Sequence, residues 1–243
     1  MATRKNVITH FDFEPGQLLA GKYEVVSRLG TGWEGEVYLI QELRTGIERA
    51  GKVFFPQRNQ RDRAALFYAK KLHKLRHCPI LIQYHGHETI RVRGHAITLL
   101  VSDYVEGELL SEFLKRQPFR RLTVFEGLHL LHDLVEGVET IHHTGEYHGD
   151  LHAGNIILRR QGLSFDCKVI DVFQWRAPKQ ENMQDDVVDL IKIFYEAIGG
   201  ARRYPKQPPV AKEIVRGLKR SLILDRFRTA SHLREWLETM EWD

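Results

Sequence analysis

Tyr147-His148-Gly149-Asp150-Leu151-His152-Ala153-Gly154-Asn155-Ile156 is the most informative stretch of this chain. It places an aspartate, and five positions later an asparagine, on a predicted loop between a helix at about 123–143 and a short apolar strand at 156–158. An acidic side chain that can accept a hydroxyl proton, beside a carboxamide oxygen that can hold a metal, is half of a phosphoryl-transfer site. The other half would be a phosphate cradle, a lysine and a second metal-binding carboxylate.

Composition excludes several classes of protein. No apolar run has the length of a membrane span, and the first residues lack the apolar core of a secretory signal. The net charge of +4 is mild. The basic stretch 58–76 predicts an amphipathic helix with a solvated basic face. Few aromatics are interleaved with its charges, so no nucleic-acid partner is expected. Cys78 and Cys167 are isolated, which predicts structural thiols and a cytoplasmic location.

The distribution of strands and helices predicts an α+β chain with two lobes. Residues 1–15 are predicted to be an N-terminal tail and residues 16–240 the folded domain, with an N-lobe at about 16–102, a hinge at 103–107 and a C-lobe at 108–240. The N-lobe is predicted to be an antiparallel five-stranded sheet with one helix, and the C-lobe to be mostly helical. The predicted strands are 23–29, 36–40, 48–55, 81–85 and 95–102, and the predicted C-lobe helices are about 109–116, 123–143, 185–198, 210–224 and 229–238.

A glycine cluster, Gly30-Thr31-Gly32-Trp33-Glu34-Gly35-Glu36-Val37, falls between the first two predicted strands. Glycines in such a turn let backbone amides approach anionic phosphates. The strand–turn–strand context argues against a dinucleotide site, which needs a strand–turn–helix unit. By composition alone the three-glycine pattern has roughly a one-in-ten chance of arising at random, and a plain glycine hairpin is the ordinary alternative.

Two further side chains complete the pattern. Lys52 lies mid-strand in Ala50-Gly51-Lys52-Val53-Phe54, at the spacing after the hairpin that suits a phosphate-pairing lysine. Asp171 ends a short apolar strand, where a carboxylate can reach into a cleft and hold a divalent cation. The hard oxygen ligands of Asp150, Asn155 and Asp171 suit magnesium rather than zinc. Each feature is ambiguous alone, and their order and spacing are what indicate the function.

Over roughly residues 16–240 the chain resembles a protein kinase of the compact eukaryotic-like kind found in bacteria. The glycine cluster resembles G-x-G-x-x-G-x-V, Ala50-Gly51-Lys52 resembles A-x-K, and His148 to Asn155 resembles H-R-D-x-x-x-x-N. Further segments are also similar to the family's motifs. They are Ser102-Asp103-Tyr104-Val105 for the gatekeeper and hinge, Asp171-Val172-Phe173 for D-F-G, the helix of Asp186 that braces the catalytic loop, and Arg226-Phe227-Arg228-Thr229-Ala230 near the end.

The resemblance implies ATP and Mg²⁺ as cofactors. ATP would lie under the glycine cluster, with its adenine near the hinge and its phosphates paired with Lys52. Asp150 would be the base, and Asn155 and Asp171 would hold Mg²⁺. The predicted nucleotide-binding residues are Gly30, Gly32, Gly35, Val37, Ala50, Lys52, Asp103 and Val105, and the predicted catalytic residues are Asp150, Lys52 and His152.

The chain also departs from the family pattern. Tyr68 stands where a helix normally carries the glutamate partner of the lysine, so Lys52 either lacks its ion pair or pairs with another carboxylate such as Glu88 or Glu34. Gly149 replaces the arginine that normally binds the phosphorylated residue of an activation loop. His152 replaces a lysine that contacts the transferred phosphate, Phe173 replaces the glycine of D-F-G, and Ala177-Pro178-Lys179 is at best a remnant of A-P-E.

These departures leave the acceptor open. A Ser or Thr hydroxyl of a protein, or of the chain itself, is the first hypothesis. His-Gly-Asp-Leu-His is also similar to loops of small-molecule and lipopolysaccharide phosphotransferases of the wider superfamily. A third hypothesis is a pseudokinase that binds nucleotide or a partner as a scaffold, which Tyr68 and Phe173 favour.

Overall fold

The computed structural model describes residues 7–162, 164–172 and 180–241. The described residues form two compact units. Unit 1 comprises those up to Arg76 together with Ile82–Val105, and unit 2 comprises His77–Leu81 together with those from Glu106 onward. Among the described residues, no helix combines the length and the apolar composition that crossing a membrane requires.

Unit 1 is an antiparallel sheet with one helix. The strand order is β1-β2-β3-β4-β6-β5. Strands β1 to β4 are therefore neighbours in chain order, whereas β6 pairs with β4 and β5 lies at the edge. The elements are β1 (Leu18–Leu19), β2 (Tyr23–Thr31), β3 (Gly35–Glu42), β4 (Glu48–Phe54), α1 (Arg63–Lys74), β5 (Tyr84–Val92) and β6 (His95–Asp103). The five predicted strands are therefore present, and the two-residue β1 adds a sixth at the edge.

The strand β5 differs most from its predicted bounds. Residues 88–94 are polar and were expected to be a connection, but β5 runs to Val92 and only Arg93 and Gly94 turn, both at positive φ. Because β5 is the edge strand of the sheet, its side chains alternate between exposed and half-buried positions along most of its length. A polar composition is tolerated at such an edge.

The segment predicted as a tail packs against unit 1. Ile8, Phe11 and Phe13 are buried in the hydrophobic core of the sheet, although residues 7–14 form no helix or strand. The ring of Phe11 stacks on that of Phe55 at 5.4 Å between centroids, and its N–H donates to the Glu36 carboxylate. Apolar side chains on an irregular segment thus cover one face of the sheet, which the sequence pattern did not reveal.

Unit 2 is mostly helical with a three-stranded sheet of order β7-β8-β9. Together with unit 1 this confirms the predicted α+β architecture. The elements are β7 (Glu108–Leu109), α2 (Leu110–Arg116), α3 (Val124–His143), β8 (Ile156–Gln161), β9 (Ser164–Val169), α4 (Gln180–Ala197), α5 (Gly200–Arg203), α6 (Pro209–Val215), α7 (Arg220–Arg226) and α8 (Ala230–Thr239).

One predicted helix is broken in two. Residues 210–224 were expected to form a single helix, but Arg216, Gly217 and Leu218 all have positive φ between α6 and α7. Left-handed backbone cannot continue a right-handed helix, so the chain stops and restarts there. In the sequence of this stretch, Gly217 was the only residue that favours such a break.

Both cysteines are structural, as expected. Cys78 is buried, and its thiol contacts the Thr140 carbonyl oxygen at 3.5 Å. Burial raises the pKa of the half-buried Cys167 thiol to about 12, so this side chain stays protonated and unreactive at neutral pH.

Candidate active site

The glycine cluster forms the hairpin between β2 and β3, as predicted. The Gly32 N–H donates to the Gly35 carbonyl at 2.8 Å and closes the turn. A Cβ on Gly35 would lie 2.0 Å from the Val53 carbonyl oxygen, so only glycine fits this close approach of β3 to β4. A Cβ on Gly30 or Gly32 would meet nothing within 4 Å, so the backbone of the turn is open to an approaching ligand.

The register between β3 and β4 places the predicted nucleotide-binding side chains on one face of the sheet. Val37 lies opposite Lys52, and Leu39 lies opposite Ala50. Directly paired residues, and residues two apart on one strand, share a face. Tyr38 and Val53 project to the other face, where they join the hydrophobic core.

Lys52 pairs with a carboxylate of the glycine hairpin. Its Nζ lies 2.8 Å from Glu34 Oε2, and the lysine side chain is only 12% exposed. Of the two substitute partners that the sequence offered, Glu34 is therefore the one used, because Glu88 instead pairs with Lys22 at 2.5 Å. Tyr68, the residue predicted to replace the usual glutamate, presents its ring to the Lys52 ammonium group at 4.9 Å.

The helix α1 has no acidic residue that could take the place of Glu34. Its sequence is RAALFYAKKLHK, and Tyr68 is buried on it. A ring face attracts an ammonium ion but does not neutralise it. Glu34, which pairs with Lys52, lies 18 positions earlier in the same three-stranded segment.

Asp103, predicted at the hinge, uses its carboxylate within unit 1. It accepts hydrogen bonds from the Gln83 N–H at 3.1 Å and from Arg49 at 3.4 Å, and it lies 2.5 Å from His85 Nε2. Its side chain therefore ties the end of β6 to neighbouring residues of unit 1. Val105 is half-buried at the end of unit 1.

The catalytic-loop motif is anchored by Asp186 of α4, as the resemblance implied. Asp186 is 0% exposed and accepts hydrogen bonds from the backbone N–H of His148 at 2.7 Å and of Gly149 at 2.9 Å. Gly149 has φ +87°, a conformation that favours glycine. The glycine that replaces the family's arginine therefore also permits the turn that brings both amides to one carboxylate.

His142, near the C-terminal end of α3, is a member of this cluster that the sequence analysis missed. Its Nε2 lies 3.0 Å from Asp186 Oδ2, and both side chains are almost fully buried. The helix α3 itself begins with a capping box between Thr123 and Glu126, which fixes its register. No motif distinguishes His142 from its neighbour His143, so only the structure could identify it.

Asp150 and Asn155 meet within the loop. The Asn155 side-chain amide donates to the Asp150 backbone carbonyl at 2.9 Å and to its carboxylate at 3.0 Å. The Asp150 side chain remains 47% exposed, so one carboxylate edge is accessible to an acceptor hydroxyl. Because the Asn155 NH₂ group faces Asp150, its amide oxygen is directed away from that carboxylate.

His152 lies beside Asp150 and is half exposed. Its Nε2 is 3.8 Å from Asp150 Oδ2, and its Nδ1 accepts the Gly154 N–H at 3.0 Å. The hydrogen bond from Gly154 to Nδ1 fixes the tautomer, so Nε2 carries the proton and faces the carboxylate edge.

Asp171 follows β9 and is tied to the same loop through its neighbour. The Ile170 N–H donates to the Asn155 carbonyl at 3.0 Å, and Asp171 itself has φ +56°. Within residues 7–162, 164–172 and 180–241, no three His, Cys, Asp or Glu side chains form a metal-binding group. Asn155 and Asp171 carry carboxamide and carboxylate oxygens, which are ligand types that Mg²⁺ accepts, since it keeps several waters and binds substrate phosphates. Phe173 and 177–179 lie outside the described residues.

A family model described as the protein kinase domain matches residues 23–191 of this chain. That range contains the glycine hairpin, Lys52, the catalytic-loop motif, Asp171 and Asp186. It covers more than half of the chain.

Individual relatives agree with the family model. The chain is 23% identical over 236 residues to the probable serine/threonine-protein kinase YbdM of Bacillus subtilis, with 90% of each chain covered. It is 27% identical over 218 residues to the serine/threonine-protein kinase PknA of Mycobacterium tuberculosis, where it spans 49% of that protein's length. The crystal structure of the Mycobacterium tuberculosis PknI kinase domain is similar in fold, with a TM-score of 0.68, 22% identity and 93% of this chain covered.

Proposed function

This chain belongs to the protein kinase family, and on that premise we propose that it transfers the γ-phosphoryl group of ATP to a serine or threonine hydroxyl of a protein. The observation that supports this most directly is the loop in which Asp150 and Asn155 are bonded to each other and held by Asp186. A base must be fixed relative to its metal ligand for phosphoryl transfer, because positioning supplies most of the catalysis.

Asp150 would accept a hydrogen bond from the acceptor hydroxyl and take its proton as the oxygen attacks phosphorus. Its own orientation is set by the Asn155 amide, and the backbone on either side is set by Asp186. His152, whose Nε2 faces the same carboxylate, would donate to the transferred phosphate in place of the family's lysine. These groups provide an acceptor and a donor on adjacent positions of one rigid loop.

Lys52 and the glycine hairpin would bind the phosphates of the nucleotide. The open backbone at Gly30 and Gly32 can approach phosphate oxygens, and the ammonium group of Lys52 supplies a compensating charge. Asn155 and Asp171 would hold Mg²⁺, which neutralises the charge that develops on the phosphate oxygens.

The second candidate function is a nucleotide-binding scaffold without transferase activity. The specific observation in its favour is Tyr68, whose ring occupies the position beside Lys52 where the family carries a glutamate. The pair of Lys52 and Glu34 weakens this alternative, because the lysine retains a carboxylate partner. A small-molecule acceptor is the third candidate, and the same loop chemistry would serve it.

The test is phosphate transfer from labelled ATP with Mg²⁺, measured on the chain alone, on mixed protein acceptors and on a set of sugars and amino alcohols. We expect labelled protein, and a decrease of about 10²–10⁴-fold in the Asp150→Ala variant, the usual contribution of a general base. Asp225→Ala, an exposed aspartate of α7, is the matched control and should retain activity. Label found only on a small molecule would refute the protein acceptor. No label with any acceptor, together with a melting temperature raised by ATP, would favour the scaffold.

A further inference from the structure

Unit 2 contains a second concave site that the proposed function does not use. It is a cavity of about 550 Å³ lined by two pairs of consecutive arginines, with Phe119 and Glu196 also in its lining. We call it the arginine pocket, and its defining residues are Arg120, Arg121, Arg202 and Arg203.

The fold brings these two pairs together from distant parts of the chain. Arg120 and Arg121 belong to the turn that precedes α3, and Arg202 and Arg203 belong to α5. The Leu122 N–H donates to the Ala197 carbonyl at 2.8 Å and ties the two segments to each other. Gly199 lies beneath them, because a Cβ there would come 2.9 Å from Arg203 Cγ and 3.0 Å from Arg121 Cδ. The stems of these two arginines therefore lie side by side over one glycine.

The four guanidinium groups carry no ion pair among the described residues, where none lies within 4.0 Å of a carboxylate oxygen. Glu196 also lines the pocket and is exposed, but its carboxylate forms no ion pair with any of the four arginines. Several other arginines of unit 2 are paired, for example Arg116 with Glu108, and Arg220 with Asp185 at 2.8 Å. The pocket thus gathers in one cavity four guanidinium groups that have no ion pair among the described residues.

Arg121 provides a second, independent observation. Its Nε is buried, and within the described part of the chain it has no hydrogen-bond partner. A buried donor without a partner costs about 1–3 kcal/mol. Guanidinium groups that line one cavity without an anion also repel one another. An anion bound in the pocket would offset this repulsion.

We propose that the arginine pocket binds the phosphate group of a phosphorylated serine or threonine in a protein segment. Guanidinium forks match the oxygens of a phosphate dianion, and a dianion neutralises more of the positive charge of the pocket than a single carboxylate would. Phe119 is 81% exposed at the rim, where it can contact the side chain next to the phosphorylated residue. Binding at this site requires no catalysis, so it stands independently of the proposed transferase activity.

The shape and composition favour a peptide over other polyanions. A nucleic acid would need a basic track along a surface with several stacking aromatics, and this cavity has one aromatic ring. A lipid surface would need exposed cations on a flat or convex face, whereas the stems of Arg121 and Arg203 lie within a concavity. A phosphate monoester with one neighbouring side chain fits a site of this volume.

The test is fluorescence anisotropy of the full chain with degenerate peptide mixtures that carry phosphoserine or unmodified serine at a fixed central position. We expect the phosphoserine mixture to bind at least ten-fold more tightly, and the Arg121→Gln/Arg203→Gln double variant to lose at least ten-fold of that affinity. The matched control is Arg116→Gln/Arg220→Gln, which makes the same change in net charge on the same unit and should stay within two-fold.

Several results would overturn the proposal. One is equal binding of the two mixtures, and another is an equal loss of affinity in the control variant. Tighter pocket-dependent binding of single-stranded DNA or of phosphatidylserine vesicles would assign the site to those partners instead. Melting temperatures are measured for every variant, and Arg202→Gln, which changes an exposed side chain, must reproduce a loss of at least three-fold if the double variant is unstable.

Discussion

Replacing Asp186 by asparagine tests how the catalytic loop is held. The carboxylate accepts the His148 and Gly149 amides at 2.7 and 2.9 Å, and His142 Nε2 lies 3.0 Å from it. An asparagine keeps one oxygen and turns its NH₂ group toward a backbone N–H that then has no acceptor. Losing a hydrogen bond to a charged acceptor in a buried site costs about 1.5–3 kcal/mol, and the bonds that remain lose their charge assistance.

The expected loss for Asp186→Asn is therefore about 2–4 kcal/mol in the free energy of unfolding, after allowance for no longer burying a carboxylate. For a chain of this length 1 kcal/mol corresponds to about 2–4 °C, so the melting temperature should fall by about 4–16 °C. Urea unfolding followed by tryptophan fluorescence measures the energy, and hydrogen exchange at the His148 and Gly149 amides should accelerate.

Asp185→Asn is the matched control, since it makes the same chemical change one residue earlier. Asp185 is exposed and pairs with Arg220 at 2.8 Å, an arrangement that contributes about 0–1 kcal/mol. If Asp186→Asn were within 1 kcal/mol of this control, or if the two amides exchanged at the wild-type rate, the anchoring role of Asp186 would be refuted.

Two further predictions concern charges near the site. Glu34→Gln should tighten binding of Mg·ATP by about three- to ten-fold in isothermal titration, because a half-buried ion pair of about 1 kcal/mol no longer competes for the Lys52 ammonium group. Glu48→Gln, an exposed change on β4, should leave the affinity unaltered, and weaker binding by Glu34→Gln would contradict the competition. The second prediction follows from Asp189, whose pKa is raised to about 6 by burial and then by the charge of Asp186. The folded chain holds this proton to a higher pH than the unfolded chain, so stability falls as pH rises from about 4 to about 6 and stays lower above that. Asp189→Asn should therefore be about 1–2 kcal/mol more stable than wild type at pH 8 and similar at pH 4 in urea unfolding, after allowance for solvent screening, and an equal gain at both pH values would contradict this origin.

The sequence predicted those parts of the site that lie within short contiguous segments. The hairpin from Gly30 to Val37 and the loop from His148 to Asn155 each carry their chemistry within one short segment, so spacing alone identifies them. Asp186 followed from the same kind of pattern, because the resemblance placed a bracing aspartate on its helix. The hydrogen bonds to His148 and Gly149 confirm that placement.

The parts that the sequence could not supply depend on tertiary contacts. Glu34 and Glu88 were both candidates for Lys52, and the distance of 2.8 Å from Lys52 Nζ to Glu34 Oε2 identifies Glu34 as the one that reaches it. The burial of Phe11 follows from a surface that exists only after the sheet has formed. The arginine pocket joins residues about eighty positions apart, and no local pattern in either segment points to the other.

The position of the carboxylate partner of Lys52 also decides which movements can switch this protein. When a lysine is paired from a separate helix, rotation of that helix breaks the pair, and the helix becomes a lever for control. Here both charges belong to one continuous run of antiparallel backbone, β2 through β4, so a displacement of α1 leaves the pair intact. A ligand that draws the Lys52 ammonium group away from Glu34, or that moves the glycine turn carrying Glu34, is therefore the natural source of a signal that separates the pair.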